Sequence, residues 1–224
     1  MNSGPVHPEL PHGLPGLLIT FEGPEGSGKS TLIKGLSARF AAAGVEPLLL
    51  REPGGNAVGE KIRDILLDPE LTELLPITEL LLMVASRAQL ARQKLRPALE
   101  QGRLVICDRY SDASVAYQGG GRGLPYDTVH ALNDLAVDGL VPDLTLLCLL
   151  PPEAGRARLG DRDPDRLEKE SADFHSRVYD SYRAMSEHGA SRFVTLDASS
   201  SPEEILEAAW KSIRGLEHGL LNTL

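Results

Sequence analysis

The chain is short of cysteine, aromatic residues, basic charge and long apolar runs. Its two cysteines, Cys107 and Cys148, sit inside the apolar stretches LVICD and LTLLCLL, where a thiol behaves as a small buried hydrophobe. Neither a disulfide framework nor a CxxC metal site can be read from them. Nowhere do 18 apolar residues run together, so no membrane span is expected. Lys and Arg number 23 against 32 Asp and Glu, a net charge of −9. Counterion release needs a basic surface, so a general nucleic-acid binder is disfavoured and any phosphate site must gather its arginines locally. The opening MNSGPVHPELPHGLPG has no basic segment followed by an apolar one; residues 1–15 read as a flexible tail, not a signal peptide. A cytoplasmic, reducing setting is the resulting expectation.

What is present is ordinary for a globular protein: 224 residues, 42% hydrophobic and 25% charged, enough for one large domain over residues 16–224. Five short apolar runs, LLITFE (17–22), EPLLLR (46–51), RLVICD (103–108), DLTLLCLL (143–150) and RFVTL (192–196), alternate with helix-like stretches. Near-continuous apolar strands of this kind predict a parallel sheet covered on both faces, a three-layer α/β fold. STLIKGLSARFAAAG repeats Leu32, Leu36 and Phe40 at helical spacing and stops at Gly44. A long helix is expected from about Pro76, others over DTVHALNDLAVDG and from about Leu167 to His188. A last one, capped by Ser201 with Pro202 at its first position, follows them.

GPEGSGKS, residues 23 to 30, fits G-x-x-x-x-G-K-[ST] between a predicted strand and a predicted helix, the context that a P-loop needs. Its glycines let backbone N–H groups converge on phosphate, Lys29 would reach the β/γ-phosphates, and the Ser30 hydroxyl would ligate Mg²⁺. A P-loop specifies a nucleoside triphosphate, not a reaction. No NKxD guanine reader follows, and RLVICDRY carries Arg109 where a motor ATPase would have a second carboxylate. A kinase acting on a small acceptor is favoured.

LVICDRY puts Asp108 and Arg109 at the carboxyl end of a strand, where ligands of open α/β sheets bind. Asp108 could hold Mg²⁺ through a water and Arg109 could clamp an acceptor phosphate; a strand-end salt bridge is the plainer alternative. SDASVAYQGGGRG follows, with three glycines that read either as a mobile turn or as part of the site. Between residues 156 and 170 lie five basic and five acidic residues, including Arg156, Arg158, Arg162 and Arg166. A solvated charged face would explain them; the interspersed Gly and Pro favour a mobile lid at about 155–167. REPGG, residues 51 to 55, ends the second strand with Arg51; a strand-end turn with a surface ion pair would explain the glycines but not the recurrence of arginine at each strand end near the P-loop. Glu52 would orient that arginine or another, Pro53 would fix φ, and two glycines would allow a tight turn.

GPEGSGKST, REPGG, the helix bearing SRAQ and DRYSDASVAYQGGGRG, in this order, resemble bacterial thymidylate kinases over nearly the whole chain. The resemblance implies a P-loop kinase fold with a five-stranded parallel sheet, and transfer of the ATP γ-phosphate to dTMP, giving dTDP for dTTP synthesis. It implies an ATP site over Gly23, Pro24, Glu25, Gly26, Ser27, Gly28, Lys29, Ser30 and Thr31. By the same resemblance Arg51 and Arg109 would meet the dTMP phosphate, with Glu52 and Pro53 beside them. Arg87 would read the thymine edge, with Ser114 and Gln118 near the base. Tyr117 would lie against the deoxyribose, and Glu25 near the sugar and the phosphate arginine. Arg162 and Arg166 would supply lid charge, which this P-loop lacks, and the long helices would pair two chains as a homodimer. Met83 stands where the family usually has an aromatic ring, and Ala113 where it has a serine. A phosphate monoester with a second pKa near 6 is already a dianion at neutral pH and needs no general base, so none of the six histidines has to be catalytic. The alternative is a deoxynucleoside kinase, whose neutral hydroxyl acceptor requires a carboxylate base and less positive charge.

Overall fold

The structure, a computed structural model, describes residues 12–160, 163–188 and 191–221. Five parallel strands form one sheet in the order β2-β3-β1-β4-β5: β1 (Leu17–Glu22), β2 (Leu48–Arg51), β3 (Leu104–Asp108), β4 (Leu144–Leu149) and β5 (Phe193–Asp197). Each lies within one or two residues of its predicted run. The central β1 is buried at every position, as expected for a parallel strand covered on both faces.

Alternation along β1 divides the core. Leu17, Ile19 and Phe21 face α1 (Lys29–Ala42) and α9 (Pro202–Arg214), packing with Leu36, Phe40 and Ile213. Leu18 faces the opposite layer with Leu90, Leu95 and Leu99. That layer contains α3 (Pro76–Leu90), which runs on through a π-helical turn (Ala91–Leu95) into α4 (Arg96–Glu100), together with α6 (Tyr126–Val137) and α8 (Ala172–His188). Pro97 cannot donate a backbone N–H, and the wider turn falls just before it. At α9, the Ser201 hydroxyl accepts from Glu204 N–H while the Glu204 carboxylate accepts from Ser201 N–H, the reciprocal cap that the sequence suggested in part.

Several helical segments among the described residues were not foreseen, among them the short α5 (Ser111–Ser114). α2 (Ala57–Leu67) follows REPGG directly, started by the Asn56 side chain, which accepts from Gly59 N–H at 2.8 Å; α7 (Pro152–Leu159) opens the expected lid. α8 begins five residues later than Leu167. The Asp165 carboxylate accepts from the N–H groups of Leu167 and Glu168, a local turn that competes with helix, and Ser171 Oγ then caps the first turn at Phe174 N–H. At the end of the expected tail the His12 side chain is buried against Asp143, with Nε2 and Oδ2 3.0 Å apart. Residues 1–11 lie outside the described residues.

Candidate active site

The carboxyl ends of β1, β2 and β3 open into a cleft of about 390 Å³. Its floor is the P-loop. Gly23 and Gly26 have positive φ, and a Cβ at either would lie 2.1 Å from Cys148 O or 2.3 Å from Gly155 O; only glycine lets the loop thread between β4 and α7. Lys29, at the start of α1, folds over its own loop and donates to Gly23 O (3.0 Å), Pro24 O (2.9 Å) and Ser27 Oγ (3.3 Å). Burial, with the neighbouring Arg109 charge, pushes the Lys29 pKa down. Ser30 and Asp108 line the same cleft. A hydroxyl and a carboxylate beside open solvent suit a small hard cation that keeps most of its waters. Among the described residues no cluster of three or more His, Cys, Asp or Glu could hold a metal by itself.

The opposite wall carries the cations. Arg109 has φ 67°, the left-handed region, unusual for a non-glycine residue. That turn brings its guanidinium back over the P-loop. Nη1 donates to Gly23 O (2.9 Å) and Tyr182 Oη (3.1 Å), and Nη2 to Glu25 (2.5 Å) and Tyr117 Oη (3.0 Å). The Arg109 guanidinium carbon lies 4.9 Å from the Tyr117 ring centroid, a cation–π contact. Burial alone would raise the Glu25 carboxyl; the charges of Arg109 and Lys29 and the hydrogen bond from Tyr117 outweigh it and hold the pKa down at about 2.

Successive residues of a strand point to opposite sides, and the change from β2 into REPGG separates Arg51 from Glu52 in the same way. Arg51 is half-exposed in the cleft and pairs with Glu60 of α2 at 2.8 Å. Glu52 points inward to Arg87, Nε to Oε2 2.7 Å. The Glu52–Pro53 peptide that follows is cis. Gly54 N–H donates to Ser86 Oγ (3.0 Å) and Gly55 N–H to Glu60 Oε1 (2.7 Å), so α2 and α3 both hold the turn.

Arg87 lies at the cleft wall, yet it is 1% exposed and four of its five N–H groups are engaged. Besides Glu52 it donates to Ser114 Oγ (2.9 Å), Asn133 Oδ1 (2.6 Å) and Tyr110 O (3.0 Å). Burial raises the Glu52 pKa, and the charge of Arg87 offsets this only in part. Gln118 lines the cleft while donating to Glu79 Oε1 at 2.9 Å. Met83 lines it too, packed with Leu66 and Tyr117.

Arg166 is placed differently. It is buried, donating to Leu66 O (2.9 Å) and to Glu79 Oε2 (2.7 Å), a carboxylate that also receives Arg122 (2.8 Å). None of Arg156, Arg158 and Arg166 lines the cleft, and Arg162 lies outside the described residues. Gly119–Gly121 do not form a mobile turn. They end a π-helical stretch (Val115–Gly121) packed on α8, where a Cβ at Gly120 would meet Ser181 Cβ at 2.6 Å and one at Gly121 would meet Phe174 at 2.5 Å.

The sequence reading missed Arg63 and Glu60, both on the unforeseen α2. Arg63 lines the cleft beside Arg51 and donates to Pro53 O at 3.0 Å; burial and then the Arg51 charge lower its pKa. It also missed Glu22, Glu79, Asn133 and Tyr182. A usable signal existed for two of them: an acid at the end of an all-apolar strand (LLITFE) and one within the apolar half of α3 (TELLLMV).

A parallel sheet, a P-loop between β1 and α1, and a cation-lined wall opposite it define a phosphoryl-transfer enzyme of the P-loop class. A family model described as thymidylate kinase matches residues 21–209. A thymidylate kinase of Desulfovibrio desulfuricans is 46% identical over 198 residues, 85% of this chain and 91% of that protein. Another, of Deinococcus radiodurans, is 44% identical over 204 residues, 91% of this chain and 98% of that one. The chain belongs to the thymidylate kinase family, and is an ATP-dependent nucleoside monophosphate kinase.

Proposed function

We propose that the cleft takes ATP phosphates at the P-loop and dTMP against the arginine wall, and that the γ-phosphoryl passes between them to give dTDP and ADP. The observation that carries this reading is the convergence of Arg51, Arg63 and Arg109 on one cleft with Lys29. Two like unit charges ~4 Å apart repel by about 4 kcal/mol at an effective dielectric of 20, so a dianionic acceptor approaching a polyanionic donor needs such a set. Transfer then depends on positioning and electrostatics, not on a base.

In this reading Arg51, Arg63 and Arg109 hold the acceptor phosphate. Tyr117 packs against the sugar, and Met83, Arg87, Ser114 and Gln118 surround the base. Arg87 would offer the base the one N–H that its four hydrogen bonds leave over. Ser30, and Asp108 through a water, would hold Mg²⁺, which when bound neutralises phosphate charge. Arg166, tied to Glu79, fixes the base of the lid. Leu81 and Leu135 are exposed beside Val84, Ala88 and Leu132 on neighbouring faces of α3 and α6, which supports a homodimer through this apolar surface. No helix among the described residues is long and apolar enough to cross a membrane, in keeping with a cytoplasmic enzyme. Turnover of dTMP and thymidine, compared with ATP and Mg²⁺, tests the reading: phosphorylation of dTMP supports it, and phosphorylation of thymidine alone makes the chain a deoxynucleoside kinase.

A further inference from the structure

We infer that Tyr182 of α8, with Glu22 behind it, is a positioning residue for the Arg109 guanidinium, and through it for the acceptor phosphate. The inference rests on the reading that Arg109 meets that phosphate. Glu22 is the last residue of β1 and is fully buried. In register it pairs with Leu147, whose side chain packs with Phe174, Val178 and Tyr182, so Glu22 faces α8. A carboxylate there costs folding free energy unless its oxygens find donors. It finds two: Tyr110 N–H at 2.7 Å on Oε1 and Tyr182 O–H at 2.8 Å on Oε2.

The second bond determines what the phenol can do. With its proton directed to Glu22, the Tyr182 oxygen presents lone pairs elsewhere, and Arg109 Nη1 donates to it at 3.1 Å. A core built only for packing would place phenylalanine and an aliphatic residue here. Arg109 needs the support because its own backbone does not favour the position it occupies. Its φ of 67° is held by Arg109 N–H donating to Phe21 O at 2.9 Å and by the Cys107 thiol donating to Arg109 O at 3.1 Å. The guanidinium then lies between two nearly perpendicular tyrosines, Tyr117 and Tyr182, whose ring centroids are 6.3 Å apart. Tyr117 and Glu25 fix Nη2, and Tyr182 and Gly23 O fix Nη1. Of the three side chains among these partners, only Tyr182 comes from α8.

Steady-state kinetics of Tyr182→Phe, Arg109→Ala and the double variant test this, with Tm recorded for each. Losing one hydrogen bond to a charged group is worth about tenfold. Tyr182→Phe is therefore expected to raise KM for dTMP about tenfold, with KM for ATP changed less than about twofold. In the Arg109→Ala background the same substitution should add nothing. Tyr182→Phe with unchanged KM for dTMP overturns the inference even if Tm falls, since that is a packing role alone; so does an added effect in the double variant. If Arg109→Ala itself leaves KM for dTMP unchanged, the assignment of Arg109 fails and this inference with it. Should Tyr182→Phe not fold, Glu22→Gln decides: it keeps an acceptor for Tyr110 N–H but releases the phenol's proton, and the same KM pattern is expected at about threefold. Its absence overturns the inference.

Discussion

The donor end of the cleft comes from the consecutive residues Gly23 to Ser30 and is largely backbone. The acceptor wall draws its side chains from β2, α2, α3, β3 and the Ser111–Gly121 segment. At the donor end, glycines and one lysine make the site, and the lysine's partners are its own loop's oxygens. At the acceptor wall three arginines have a carboxylate from another element: Arg51 has Glu60, Arg87 has Glu52, and Arg109 has Glu25. Truncating the lysine adds no atom to the core and leaves no charged hydrogen-bond partner behind, whereas the ion pairs of the acceptor wall are also part of the core. Substitutions in that wall should therefore show in stability as well as rate.

The largest expected effect is at Arg87. Removing one partner of a buried ion pair leaves the other uncompensated, at about 3–5 kcal/mol, so Arg87→Ala should lower the unfolding free energy in urea by that much. A loss under 1 kcal/mol would mean that the wall is not structural. Lys29→Ala should act the other way. The fold should persist while kcat falls by about 10²- to 10³-fold, the usual loss for one preorganised donor; steady-state rates and a melting curve on the same sample check both halves.

That contrast also explains what the sequence revealed. The P-loop was legible because its chemistry is local and its glycines are dictated by close approach to Cys148 and Gly155. All five strands were legible because a parallel sheet demands continuous apolar runs. α2 was missed although Asn56 caps it and Ile62, Ile65 and Leu66 fall at helical spacing, and Arg63 and Glu60 were lost with it. Arg166 was expected over the phosphates because it stands in a charged, Gly- and Pro-containing segment. Spacing could not show that Glu79, 87 positions earlier, binds it. The glycines at 119–121 could not be assigned, because the α8 residues that Gly120 and Gly121 accommodate lie more than fifty positions away. Function legible as contiguous backbone, and obscure as side chains from separate elements, is the same difference seen from the sequence.

Two glutamates, Glu22 buried and Glu25 partly exposed, set the pH behaviour of the two ends in opposite directions. Glu25, held at about 2 against an ordinary 4.5, contributes stability above pH 4.5 that is lost as pH falls towards 2. Glu22, raised to about 7 by burial and then by Asp112, favours the protonated folded state, so its contribution is present below pH 4.5 and lost as pH rises through 7. Glu22→Gln should flatten the fall in stability between pH 4.5 and 7, and Glu25→Gln the fall below 4.5; urea midpoints across pH measure both. Unchanged slopes would remove these residues from the account.

The smallest expected effect is at Met83. Met83→Phe gives the base a ring face to stack on and should lower KM for dTMP about threefold, at the modest end of the stacking range, with kcat unchanged. An unchanged KM would make Met83 a core residue only.

The central property of the acceptor wall is that it recognises a phosphate and not merely a nucleoside. Titration calorimetry of dTMP and of thymidine, on the intact protein and on Arg51→Ala, measures this directly. dTMP is expected to bind at least about tenfold tighter than thymidine, as one charge-assisted contact alone would give, and Arg51→Ala should narrow that gap while leaving thymidine affinity unchanged. Equal affinity for the two ligands in the intact protein would contradict it.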